Sequence, residues 1–147
     1  MGSIFRTADA AGIEKIYLCG ITPAPVDTFG KLRPQLAKVS LGAEKTVGWE
    51  RTKSTTKVLD ELKKNGYKIL AVEQGRRATP YHKLKVKNLK LKTVALVLGN
   101  EVKGLPASVL NRADKILEIP MAGRKESLNV AVAFGIVAYG IKYRGQK

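Results

Sequence analysis

Three stretches of the chain carry side chains able to hold anions or handle protons. In Gly99-Asn100-Glu101-Val102-Lys103-Gly104, two glycines permit tight backbone turns and a carboxylate is offered just after the apolar run Val94 to Leu98. An ordinary turn explains the same letters. It is not a P-loop, because the lysine precedes the second glycine and no Ser or Thr follows where a magnesium ligand is needed, and it is not a dinucleotide fingerprint. The second stretch runs from Ile119-Pro120-Met121 through Arg124 and Lys125 to Ser127-Leu128-Asn129. There Ser127 can cap a following helix or meet a ligand, and Asn129 falls in a first turn whose amides lack helical partners. The third is Arg6, the one basic side chain in a first helix of mainly apolar and small residues, suited either to a salt bridge with Asp9 or to a phosphate.

The elements that position these residues follow from spacing and caps. Ser3 can cap a helix in which Ile4, Phe5, Ala8 and Ala11 recur at helical intervals until Gly12. Ile16 to Cys19 reads as a short strand, Leu32 to Leu41 as a weak helix, Val47 to Trp49 as a short strand, and Ser54 to Gly66 as an amphipathic helix. Lys68 to Val72, Val94 to Leu98 and Lys115 to Ile119 follow as strands. The polar, basic segment from Glu73 to Lys92 reads as an exposed connection. Pro106 suits the first turn of a short helix to Leu110, and a long helix is expected from Ser127 to about Tyr143. Strands alternating with helices imply an α/β fold with a mostly parallel sheet flanked by helices. In such sheets ligands collect beyond the carboxyl ends of strands, which is where the second and third strands of this set deliver Glu101 and Ser127.

The chain has 147 residues and 44% hydrophobic side chains, enough for one core, so residues 1–147 are expected to form a single soluble domain. The longest uncharged run, Ser127 to Ile141, falls short of the roughly 20 residues of a membrane span, and no secretory signal can be read at the N-terminus. A lone Cys19 excludes an intramolecular disulfide, offers no metal-ligand cluster, and fits a reducing cytoplasm. The 27 Lys and Arg against 12 Asp and Glu leave a formal charge of +15, which calls for a polyanionic partner. Nucleic acid fits this charge best, although polyphosphate, an anionic membrane or a merely solvated basic surface fit it too.

Taken together and in order, three motifs resemble those of the SpoU (TrmH-like) branch of the SPOUT methyltransferases. They are Gly2-Ser3-Ile4-Phe5-Arg6-Thr7-Ala8-Asp9-Ala10-Ala11-Gly12, Leu96 to Pro106, and Ile119-Pro120-Met121 with Ser127-Leu128-Asn129-Val130-Ala131. The resemblance spans nearly the entire chain. It implies a C-terminal trefoil knot of the SPOUT type, an exception to the rule against threaded chains. It also implies an S-adenosylmethionine site lined by Ala71, Val72, Glu73, Gly99, Ile119, Met121, Ser127 and Leu128, and a homodimer in which Arg6 reaches the partner's cofactor. The family's first motif begins with an asparagine two residues before the glycine matched by Gly2, so that asparagine and the strand before it are expected to be missing from this chain. The activity of this exact chain is the expectation on which that departure bears.

The implied reaction is methyl transfer to an RNA ribose 2′-hydroxyl, with Arg6, Glu101, Ser127 and Asn129 as the catalytic set and a tRNA favoured over an rRNA. No metal is implied. A guanidinium keeps its proton in ordinary surroundings, so Arg6 can be read as a phosphate clamp that orients the hydroxyl as well as a base. Arg6, Arg76, Arg77, Lys83, Lys85, Arg124 and Lys125 are the candidate RNA contacts. The alternative is a catalytically inactive SPOUT-like RNA-binding or structural module, which would keep the basic surface and lose activity.

Overall fold

A computed structural model describes residues 1–87 and 89–144, the side chain of Leu91 apart. The chain forms two compact units, Met1–Thr55 and Thr56–Lys147, each with its own parallel sheet. A single sheet was the expectation. Strand pairing partners are non-local, so alternation along the chain identifies strands without showing which sheet each joins.

In the first unit, helix α1 (Gly2–Ala10) packs on α2 (Pro34–Ser40) and α3 (Ala43–Thr46), beside a sheet of β1 (Lys15–Cys19) and β2 (Gly48–Thr52). Phe5 and Ala8, one turn apart on α1, are fully buried. Its start is not capped by Ser3: Met1 occupies the N-cap without a side-chain bond, because the helix already begins at Gly2. Gly2 must be small, since a Cβ there would lie 2.8 Å from both the Leu36 carbonyl oxygen and the Val39 Cβ. The helix ends as expected at Gly12, whose φ of 64° lets the Gly12 and Ile13 amides turn back to the Asp9 and Ala8 carbonyls. In the same unit the buried Ser40 hydroxyl donates to the Glu44 carboxylate, which holds Glu44 below the ordinary carboxylate range. Burial pushes the Cys19 thiol up.

The second unit positions the chemistry. Strands β3 (Lys68–Val72), β4 (Thr79–Pro80), β5 (Val94–Leu98) and β6 (Lys115–Glu118) form an all-parallel sheet in the order β4-β6-β3-β5. Near-continuous apolar runs make β3 buried on both faces, as a central parallel strand requires. Alternate residues of β3 feed two clusters. Ile69 packs with Leu59 of α4 (Thr55–Lys64) and Val109 of α5 (Ala107–Leu110), and Leu70 packs with Leu117, Val137 and Ile141, the last two on α6 (Val130–Arg144). Because every strand runs the same way, the segments after β3, β5 and β6 emerge on one edge.

Two expectations are corrected here. The segment Glu73 to Lys92 is not simply an exposed connection: Thr79 and Pro80 add an edge strand beside β6, and Leu84 and Val86 enter the α6-side cluster, alternating with the exposed Lys83, Lys85 and Lys87. Pro106 stands at the N-cap of α5 and not within its first turn.

Candidate active site

Side chains and amides of the loops after β3, β5 and β6 tie those loops to one another. Glu73, the first residue beyond β3, accepts from the Leu105 amide at 2.8 Å through one carboxylate oxygen and from the Gln74 amide at 3.0 Å through the other. Its own amide donates to the Leu117 carbonyl at 3.0 Å, and the Gln74 side-chain amide donates to the Ile119 carbonyl at 2.9 Å. Glu73 and Gln74 thus hold both neighbouring loops. Gln74 went unnoticed in the sequence, where only its position beside Glu73 at a strand end could have drawn attention to it, and Leu105 was read only as part of the Leu96 to Pro106 motif.

The loop after β5 doubles back on itself. Asn100 Oδ1 accepts from the Val102 amide at 2.8 Å and from the Lys103 amide at 3.3 Å, and the Gly104 amide donates to the Asn100 carbonyl at 2.8 Å. Both glycines of the stretch are demanded by this turn. Gly104 has φ 62°, and a Cβ on Gly99 would lie 2.5 Å from the Gly104 carbonyl carbon. Next along, Glu101 Oε1 accepts from the Asn129 side-chain amide and from the Val130 backbone amide, each at 3.2 Å. A carboxylate from one loop therefore sits on the N-terminus of α6, where free amides and the helix dipole favour negative charge.

This contact corrects the start of the last helix. Asn129, not Ser127, caps it: Asn129 Oδ1 accepts from the Ala131 amide at 2.9 Å, and the helix begins at Val130. Ser127 lies exposed in the irregular stretch before it. From Met121 to Leu128 no backbone amide is hydrogen-bonded among the described residues, so donors and acceptors are available along the whole stretch. Val72, Leu98, Ile119, Met121 and Leu128 are half-buried, whereas Ala71 is wholly buried within β3. Half-buried apolar side chains together with unpaired main-chain groups on these segments suit a ligand that is part flat ring and part polar, as S-adenosylmethionine is.

The basic candidates occupy several surfaces. Arg76 and Arg77 are exposed in the turn closed by the Ala78 amide on the Gly75 carbonyl, and Arg124 and Lys125 are exposed in the loop before α6. Arg6 belongs to the first unit, exposed on α1. It makes no salt bridge with Asp9, which instead accepts from the Thr46 hydroxyl at 2.6 Å.

Comparison with known proteins fits this arrangement. The sequence pattern of the SpoU rRNA Methylase family matches residues 1–139. The chain belongs to that family. It is 33% identical to a Staphylococcus aureus protein assigned to the TrmH family of tRNA/rRNA methyltransferases, across 96% of this chain and 52% of that one. It thus spans about half the length of the curated relatives it matches. Among solved structures, the S-adenosylmethionine-bound rRNA methyltransferase of Sinorhizobium meliloti superposes with a TM-score of 0.84 at 30% identity, over 97% of this chain and 51% of that one. A structure reported for the 2-OH methylation of C/U34 on tRNA superposes with a TM-score of 0.75 at 31% identity, over 99% of this chain and 86% of that one. The α/β architecture, with parallel sheets flanked by helices, is that of these SpoU neighbours. No helix among the described residues is long and apolar enough to cross a membrane.

Proposed function

We propose that this SpoU family member transfers a methyl group from S-adenosylmethionine to a ribose 2′-hydroxyl of RNA, acting as a cytoplasmic homodimer. The observation that carries the reading is the hydrogen-bonded convergence of the loops after β3, β5 and β6, with Glu101 fixed on the N-terminus of α6. Glu73, Gly99, Ile119, Met121, Ser127 and Leu128 would hold the cofactor, which supplies an electrophilic methyl group when bound. In this reading the two units are parts of one domain, and the chain between β3 and α6 threads as a trefoil knot.

The roles of the remaining residues follow from their chemistry. Glu101 and Asn129 are held together at 3.2 Å, so a hydroxyl placed beside them finds both an acceptor and a donor without further rearrangement. Arg6, supplied by the other subunit, binds the phosphate next to the target ribose and orients the hydroxyl. The homodimer is supported by α6, which is apolar nearly throughout yet leaves Val132, Tyr139 and Tyr143 exposed at helical spacing, a stripe suited to a second copy. A tRNA is preferred because the neighbour of which this chain covers the larger share is the one reported for tRNA methylation.

Calorimetric titration with S-adenosylhomocysteine tests the cofactor site. Saturable binding is expected, and its absence would favour the inactive RNA-binding module. Arg6→Lys keeps a cation, so a phosphate clamp should retain substantial turnover with an unchanged pH profile. A collapse of turnover with a displaced pH profile would instead make Arg6 the group that handles the proton.

A further inference from the structure

On the α5 face of the second unit's sheet, two open cavities lie side by side and together outline a trough. The smaller, about 170 Å³, starts at Glu73 and Gln74. The larger, about 340 Å³, extends past Asn111 to Lys115, the first residue of β6. Both are lined by Arg77, Leu110 and Ile116, so they adjoin across these three side chains.

The trough presents positive charge. The side chains of Arg76, Arg77 and Lys115 form no hydrogen bond or ion pair with any described residue, and they outnumber the two carboxylates of the lining, Glu73 and Asp114, both of which are already hydrogen-bonded. Asp114 accepts from the Ile69 amide at 2.8 Å and lies 3.9 Å from Lys63 Nζ, and Glu73 is bonded to the Leu105 and Gln74 amides. The walls are also fixed in place. Arg112 donates to Asp60 at 2.8 Å and to the Ser108 carbonyl at 2.7 Å, and Lys63 donates to the Arg112 carbonyl at 3.0 Å, which pins the segment carrying Asn111. On the other side, Arg77 lies in the turn closed by Ala78 on Gly75 at 3.0 Å, and Thr79 is paired with Leu117. A preformed groove loses little affinity to ordering its own walls.

Its size is at the small end for a ligand site, room for one nucleotide unit. Leu110 and Ile116 give an apolar floor, Arg77 and Lys115 give cations beside it, and Asn111 offers an amide at the rim. An inorganic anion would leave that floor unused.

We propose that the trough seats one nucleotide of the RNA other than the one methylated, its phosphate on Arg77 and Lys115 and its base against Leu110 and Ile116. This deepens the RNA reading above and rests on it. Because one end of the trough is lined by Glu73 and Gln74 of the cofactor loops, a nucleotide held in it would help select which ribose reaches them.

The test uses methyl-resolved NMR of the full chain, titrated separately with uridine monophosphate, uridine and inorganic phosphate at matched ionic strength. The nucleotide should shift the Leu110 and Ile116 methyls saturably, with affinity at least about tenfold above either fragment, as one charge-assisted contact added to base burial requires. Arg77→Gln and Lys115→Gln, both exposed, should each weaken it by about tenfold while S-adenosylhomocysteine affinity is unchanged. Unmoved methyls, phosphate alone matching the nucleotide, or variants that bind like the wild type would each overturn the proposal. A chain that binds S-adenosylhomocysteine and methylates RNA but fails here refutes only the trough. Nucleotide binding without S-adenosylhomocysteine binding refutes only the methyl-transfer reading.

Discussion

Replacing Gly99 by alanine tests whether the loop after β5 is as tightly folded as its hydrogen bonds imply. The added Cβ would lie 2.5 Å from the Gly104 carbonyl carbon, 2.7 Å from its oxygen and 2.8 Å from the Leu105 nitrogen. Ordinary contact begins near about 3.5 Å, so three backbone atoms are overlapped by roughly 0.7 to 1 Å. Backbone cannot rotate away as a side chain can. The 104–105 segment must shift by a comparable distance, which strains or breaks the Leu105 amide bond to Glu73 and the Gly104 amide bond to Asn100, both 2.8 Å. Overpacking of this kind costs about 1–3 kcal/mol, and a lost bond to a carboxylate costs about 1.5–3 kcal/mol. Displacing catalytic groups by about 1 Å can also slow turnover by about a hundredfold. The assay is S-adenosylhomocysteine calorimetry with a parallel thermal melt, and Gly123→Ala is the control, since nothing lies within 4 Å of a Cβ there. Gly99→Ala should lose both stability and ligand affinity while Gly123→Ala stays within about 0.5 kcal/mol of wild type. Gly99→Ala with wild-type affinity and melting temperature would refute the reasoning.

Replacing both Lys83 and Lys85 by glutamine should reduce the slope of log affinity for single-stranded RNA against log salt by about 1.4, at about 0.7 per phosphate contact; an unchanged slope removes them as RNA contacts. Cys19 should alkylate more slowly at neutral pH than a free thiol, because burial raises its thiol above the ordinary value; iodoacetamide kinetics followed by mass spectrometry check this. Glu44, held below the usual carboxylate range chiefly by Ser40, contributes stability that is present above its unfolded pKa and is lost as pH falls through its folded pKa. Ser40→Ala should therefore lower stability at neutral pH and flatten its decline in acid, as urea melts across that range would record. Leu117→Ala, at a fully buried position in β6, should cost about 2–5 kcal/mol in the same urea melts.

The parts of the fold legible in the sequence were those decided locally. β3 and β5 begin and end where the apolar runs Lys68 to Val72 and Val94 to Leu98 do, because strands of a parallel sheet covered on both faces, buried in β3 and half-buried along β5, need no polar alternation. Gly12 and Gly66 marked helix ends, since each must adopt positive φ to close its helix. What escaped was decided at a distance. Ser127 and Asn129 are equally good caps by type, and the choice falls to Glu101, whose carboxylate meets Asn129 and Val130 after a separation of 28 and 29 residues. The density of lysines from Lys83 to Lys87 masked a period of two, in which Leu84 and Val86 turn inward. For Gln74 the only signal was its place beside Glu73 at a strand end, because its contact with Ile119 lies 45 residues away. Of the candidate site, Glu73, Gly99, Glu101 and Asn129 stood at strand ends and glycine turns that the letters display, while their mutual bonding required the parallel sheet to gather them.

The most direct measurement is product identification after incubating the purified chain with isotopically labelled S-adenosylmethionine and unmodified tRNA, followed by digestion to nucleosides and mass spectrometry. The account predicts label in a 2′-O-methylated nucleoside whose 3′ linkage resists alkali. Label confined to a base, or an unlabelled RNA from a chain that binds the cofactor, would contradict it.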